Sequence, residues 1–245
     1  MSALISSIHE RYQKVLDNIT ASARKVGRVP ASVNLVVVTK LQPAEVVRAA
    51  IEAGARLLGE NYAEEAANKI AILGPQTGVE WHMIGHIQSR KVPLVARHFA
   101  LVHSLDSLRL AQRVNRSAAE LERTQPVLLE FNVSGEKSKH GWEASDESLW
   151  EDLLTDANAI AALPGIKIRG LMTMPPLSTD PEAARTYFRK LRRLRDFLSA
   201  RIPQAEWVEL SMGTSADYAV AIEEGATLVR IGQAILGPRP VMEDE

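Results

Sequence analysis

From Pro30 onward the chain alternates short β-branched and aliphatic runs with longer stretches whose apolar positions recur every three or four residues. The short runs fall at 35–38, 56–58, 81–84, 101–102, 127–131, 166–172, 207–210 and 228–231. Apolar runs of this length predict strands buried on both faces, as in parallel sheets covered by helices. The intervening stretches carry helix punctuation. Pro43 opens 44–53 and Gly54 closes it; Asp106 is placed to cap 107–121; Asp146 or Ser145 is placed to cap 147–162. Asp180-Pro181 opens 181–201, and Thr214 or Ser215 opens 216–224 before Gly225. Ahead of these, Leu4, Ile5, Ile8, Tyr12, Val15 and Ile19 predict a helix over 4–26. Eight strands alternating with helices predict an α/β fold, a (β/α)8 TIM barrel over about 34–237 with an extra N-terminal helix. The rival, an open doubly wound sheet, lacks its G-x-G-x-x-G fingerprint. The phrases AIEAGARLL (50–58) and AIEEGATLV (221–229) resemble each other, and shared helix–glycine–strand chemistry explains them as well as duplication does. No linker or low-complexity stretch interrupts the pattern, so 1–245 is expected to form a single domain.

Composition narrows the function classes. The 245 residues include 29 Lys+Arg against 30 Asp+Glu, a net charge of -1, which argues against a protein that coats nucleic acid. The absence of cysteine removes disulfides, thiolate zinc sites and cysteine nucleophiles. No stretch has the run of apolar residues that a membrane span requires, and the N-terminus has no signal-peptide pattern, so a cytoplasmic protein is expected.

In a barrel, chemistry belongs at the C-terminal ends of the strands. The first strand ends in Lys40. A lysine is by default a solvated charge, but here four apolar residues and Thr39 precede it, which places it at the barrel mouth. Desolvation there favours the neutral amine, the form that makes a Schiff base with an aldehyde. The seventh strand runs into Ser211-Met212-Gly213-Thr214-Ser215 and the eighth into Arg230-Ile231-Gly232-Gln233. Each alone is an ordinary turn or cap; together, after strands seven and eight, they predict a phosphate site. Arg230 follows Leu228 and Val229 and can only donate hydrogen bonds, which suits a ring nitrogen or an anion. A lysine for an aldehyde, a phosphate cradle and an arginine donor describe pyridoxal 5′-phosphate (PLP).

The segments VVVTK (36–40), GENY (59–62), WHMIGHIQSRK (81–91), SKHG (138–141), RGLMTM (169–174), SMGTSADYAVAI (211–222) and VRIGQAILG (229–237) resemble the YggS/PROSC family of PLP homeostasis proteins. They run in order along about 200 residues. The resemblance implies a barrel like the N-terminal domain of alanine racemase and PLP held as an internal aldimine on Lys40. It implies phosphate contacts from Ser211 and from the backbone around Gly213, Thr214, Gly232 and Gln233. It also implies Arg230 near the pyridine nitrogen and Asn61 and Met172 around the ring. Gln233 departs from the threonine of many members, leaving its backbone N–H as the donor.

The strand pleat raises a difficulty. If Ser211 points into the barrel, Glu209 and Trp207 share its face, and a buried Glu209 needs a partner. Either the strand carries a bulge or Ser211 contributes chiefly backbone. His82 and His86 lie across a strand end with no carboxylate placed to complete a metal site; His82 is an imidazole at the mouth or a satisfied core residue. Gln88-Ser89-Arg90-Lys91 needs only a solvated helix start. Seven Lys/Arg in 185–201 surround a stripe of Phe188, Leu191, Leu194 and Leu198, as in a solvated helix face paired with acidic neighbours. Tyr62 is expected at the site mouth, Tyr218 on a helix, and the acidic tail 241–245 to fray. No β-domain carrying the second base of alanine racemases is expected, which favours a monomeric carrier or buffer of PLP, with PLP-dependent apo-enzymes as possible recipients and vitamin B6 and amino-acid balance as its setting. The alternative is a single-domain PLP-dependent amino-acid racemase.

Overall fold

The computed structural model describes residues 2–238; the tail 241–245, expected to fray, lies outside them. Its strands are β1 (Asn34–Val38), β2 (Leu57–Glu60), β3 (Glu80–Met83), β4 (Leu101–Leu105), β5 (Gln125–Asn132), β6 (Trp142–Glu143), β7 (Ile166–Met172), β8 (Glu209–Ser211) and β9 (Leu228–Ile231). The helices are α1 (Ser2–Lys25), α2 (Ala44–Glu52), α3 (Ala63–Leu73), α4 (Val92–His98), α5 (Leu108–Glu120), α6 (Leu153–Ala161), α7 (Arg185–Arg201), α8 (Tyr218–Glu223) and α9 (Gln233–Leu236). The sheet runs β4-β3-β2-β1-β9-β8-β7-β5, and β4 pairs with β5 to close the circle. Every pairing is parallel, so this is the eight-stranded barrel that the alternation predicts. The two-residue β6 extends β5 at its C-terminal end, with Phe131 opposite Trp142.

Two apolar layers hold the barrel. Inside it, Val36, Leu101, Leu128, Met172 and Leu228 meet across the lumen with Leu57 packed against them. The larger core lies between the strands and the helices, where the other face of each strand is buried. On α1, Ile8, Val15, Ile19 and Ala23 are buried, and the helix packs on α2, α8 and α9.

The helices depart from the sequence pattern in small ways with local causes. Ser107, not Asp106, caps α5 by accepting the Leu110 N–H at 3.3 Å, which leaves the Asp106 carboxylate free to face His86. Asp146 accepts the Ser148 N–H at 2.9 Å and Asp180 the Glu182 N–H at 3.0 Å; each opens a short 3-10 turn that leads into α6 or α7. The helix after Thr214 starts only at Tyr218, with Asp217 as its cap residue. The sequence pattern does not single out α3, whose buried face is Ala63, Ala66, Lys69 and Leu73 and therefore shows no clear apolar stripe. On α7 the predicted stripe of Phe188, Leu191, Leu194 and Leu198 is buried, and Arg185 pairs with Glu182, Glu223 and Glu224.

Candidate functional site

At the C-terminal mouth of the barrel the strand ends enclose a cavity of about 570 Å³. Of the residues singled out from sequence, Lys40, Asn61, Thr214, Arg230, Gly232 and Gln233 stand on its wall. Gly213, Ser211 and Met172 do not: Gly213 lies beneath the turn, Ser211 inside the barrel, and Met172 in the apolar lumen layer. Met174 lines the cavity instead. Along β1 the pleat sends Val36 to the lumen layer and Val38 and Lys40 to the cavity.

The backbone on both sides of Lys40 is tied to β2 and α3. Lys69 Nζ donates to the Thr39 carbonyl at 2.7 Å, to Glu60 Oε1 at 2.7 Å and to Glu65 Oε1 at 2.6 Å. Thr39 Oγ1 donates to Glu60 Oε1 at 2.7 Å, and the Leu41 N–H donates to Glu65 Oε1 at 2.6 Å. Leu41 holds a positive φ of 58°, a conformation that costs an L side chain energy, so the turn after Lys40 depends on these bonds. Burial pushes the Glu60 carboxyl above its ordinary range, while Lys69 and Thr39 oppose the shift. Glu60 belongs to the GENY segment, but nothing in the spacing marks Lys69 as its partner.

Arg230 reaches the cavity from inside the barrel. Its Nη2 donates to the Thr173 carbonyl at 2.9 Å and lies 2.8 Å from Met174 Sδ; its Nη1 donates to Ser211 Oγ. Burial draws the guanidinium down to about 10, opposed by Glu130 and Asp217, and it stays charged at neutral pH. Glu130, a cavity residue from β5, is buried and its carboxyl is pushed up to about 7, first by desolvation and then by Asp106, with Arg230 opposing. The pleat difficulty on β8 resolves without a bulge. Ser211 points inward, and Glu209, one pleat below, reaches the opposite mouth, where its carboxylate accepts from Thr227 Oγ1 and lies 3.8 Å from Arg169 Nη2.

Two glycines let backbone approach the cavity. Gly213 has φ +92°, and a Cβ there would meet Ala221 Cβ at 2.6 Å; a Cβ on Gly232 would lie 2.9 Å from the Val38 carbonyl. Between them, the Thr214 N–H and hydroxyl both donate to Asp217 Oδ1, at 2.6 and 3.1 Å. On the rim, His86 Nδ1 lies 3.0 Å from Asp106 Oδ2, and the His86 and His140 rings stack at 4.4 Å and 17°. These three side chains bring their donor atoms within 4.8 Å of one another, a grouping that spacing along the sequence does not show. Sequence spacing brought neither Asp106 nor His140 to His86, because three different loops meet there. His82 is a core residue, buried beside His103. Tyr62 is exposed next to the site, and Tyr218 sits at the start of α8, accepting from Asn18 at 3.0 Å.

Residues 13–240 match the family described as alanine racemase, N-terminal domain. The chain is 40% identical over 239 residues to the pyridoxal phosphate homeostasis protein of Vibrio alginolyticus, covering 96% of this chain and 99% of that one. A solved structure of PipY from Synechococcus elongatus with PLP bound superposes at a TM-score of 0.79 with 34% identity, covering 94% of this chain and all of that one. Alanine racemase from Clostridium difficile shares the fold at a TM-score of 0.70 and 16% identity, covering 97% of this chain and 58% of that one. The chain belongs to the alanine racemase N-terminal domain family and, within it, to the group of the pyridoxal phosphate homeostasis proteins.

Proposed function

We propose that this protein binds PLP through Lys40 and serves PLP homeostasis as a carrier or buffer of the cofactor. The observation that carries the reading is the placement of Lys40 and a buried, direction-fixed Arg230 on the wall of one cavity. The residues fit the group: the cavity has room for it, two cations face it, and Gly232 brings backbone to the wall that a Cβ would obstruct. Bound there, PLP supplies an aldehyde with which an unprotonated amine condenses, with loss of water. Lys40 supplies that amine, and the Lys69 clamp holds its backbone. Arg230, able only to donate, would serve the ring nitrogen; Asn61 would hold the ring; and the turns at Gly213–Thr214 and Gly232–Gln233 would receive the phosphate. Similarity to PipY, whose structure holds PLP, and to relatives named for PLP homeostasis supports the assignment.

The reading extends to a monomeric, non-catalytic cytoplasmic protein whose recipients are PLP-dependent apo-enzymes. Among the described residues no helix is long and apolar enough to cross a membrane. Added PLP is expected to give a visible absorption band that Lys40→Ala abolishes, and borohydride reduction followed by peptide mapping is expected to place the label on Lys40. A protein that stays colourless at saturating PLP refutes the reading.

A further inference from the structure

A chain of hydrogen-bonding groups crosses the barrel lumen behind the cavity. Arg230 Nη1 on β9 donates to Ser211 Oγ on β8. Ser211 Oγ lies 2.8 Å from His103 Nδ1 on β4, and His103 Nε2 lies 3.0 Å from His82 Nδ1 on β3. His82 Nε2 in turn lies 3.8 Å from Glu80 Oε2. Ser211 and His103 have no exposure at all and His82 and Arg230 almost none, whereas the Glu80 side chain is 60% exposed at the opposite end of the barrel.

The protons in this chain have one fully satisfied order. A guanidinium only donates, so Ser211 Oγ accepts from Arg230 and its single hydroxyl proton is left for His103 Nδ1. That nitrogen therefore carries no proton, and neutral His103 keeps its proton on Nε2 and donates to His82 Nδ1. His82 then carries its proton on Nε2, facing the Glu80 carboxylate. Burial, with His82 and Arg230 adding to it, holds the His103 imidazole well below its ordinary range, in the neutral form that the order needs. The His82 imidazole, 3.8 Å away, holds the Glu80 carboxyl below its own range. All the donors point the same way, from a permanent cation to an ionised carboxylate, so each bond polarises the next.

We propose that Ser211, His103 and His82 are positioning residues that act on the bound cofactor through Arg230, fixing its guanidinium by a one-directional relay anchored on Glu80. The inference rests on the PLP reading, in which Arg230 faces the ring nitrogen. It gives Ser211 a role other than phosphate contact: its hydroxyl is the anchor of Nη1, and among the described residues the guanidinium's other partners, Thr173 and Met174, both sit on Nη2.

The test uses the full chain saturated with PLP and follows the visible band maximum and the rate of PLP loss in a chase, with thermal unfolding as the folding control. Ser211→Ala and His103→Leu are expected to displace the band and speed PLP loss by about tenfold, the scale of one hydrogen bond to a charged group. His103→Asn restores an acceptor for the Ser211 hydroxyl and is expected to recover most of both effects. His82→Gln, three links from Arg230, decides the matter if the nearer variants do not fold: a displaced band and faster loss are expected. Folded variants with native band and native loss rate, or His103→Asn as impaired as His103→Leu, overturn the relay. A native protein with no band overturns the PLP reading and the relay's role with it, whereas a native band that Lys40→Ala removes and the folded relay variants leave at its native position, with the native loss rate, overturns the relay alone.

Discussion

Glu130 carries a charge conflict at the scale of a single residue. Its strand position points it into the cavity wall, where water is largely excluded and Asp106 adds a second negative charge. Its carboxyl therefore moves from 4.5 to about 7, and the folded protein binds a proton more tightly than the unfolded chain does. Stability from this group is fully present below pH 4.5 and is lost as pH rises through about 7. Glu130→Gln, uncharged throughout, removes that loss. Relative to the native protein, the variant is expected to gain up to about 3 kcal/mol at pH 8 and little near pH 4, from the free-energy equivalent of such a shift. Urea unfolding at the two pH values without added PLP checks this; the same difference at both would show that Glu130 does not titrate as placed. The sequence made Lys40 and Arg230 legible because each ends or interrupts an apolar run. Glu130 has the same signal, a single acid within 127–131, yet only the packing of Asp106 and Arg230 around it gives the signal meaning.

At the scale of elements, the clamp of β1, β2 and α3 decides where Lys40 stands. Lys69 is buried on α3 and satisfied by one backbone carbonyl and two carboxylates. Lys69→Met leaves buried Glu60 without its cation and the Thr39 carbonyl without its donor. Breaking one side of such a pair costs about 3–5 kcal/mol, whereas removing both sides together costs much less. Lys69→Met is accordingly expected to lower stability by that amount and weaken PLP binding. Adding Glu60→Met is expected to regain stability without restoring binding, because the anchor of the Thr39 carbonyl is still missing. Urea unfolding and a PLP titration separate the two effects. This clamp was not legible in the sequence for a physical reason: α3 buries alanines and a lysine, so the residue that matters most on it breaks the apolar stripe by which helices are found. The cap of α5 misled similarly, since Asp106 and Ser107 are both good cap residues and only the three-dimensional position of His86 draws the aspartate away.

At the scale of the whole molecule, the eight runs sufficed for the barrel because a parallel strand buried on both faces has a simple signature and closure needs only enough of them. Two-residue β6 and four-residue α9 have no periodicity to find. The shared barrel does not transmit chemistry: likeness to alanine racemase at 16% identity reaches the fold alone. Racemization needs a base on each face of the substrate α-carbon, and on the PLP reading Lys40 would be one of them. Of the other cavity groups able to take a proton, Glu130 is shifted by a burial that favours its protonated form, and His86 is held on the rim between Asp106 and the stacked ring of His140. The protein saturated with PLP and incubated with each common L-amino acid is therefore expected to yield no D-enantiomer above the level of Lys40→Ala in a chiral assay. A D-amino acid formed by the native protein and lost in Lys40→Ala would replace the carrier reading with an enzymatic one, and the second base would then have to be sought among His86, Glu130 and His140, the proton-accepting side chains on the wall facing Lys40's cavity.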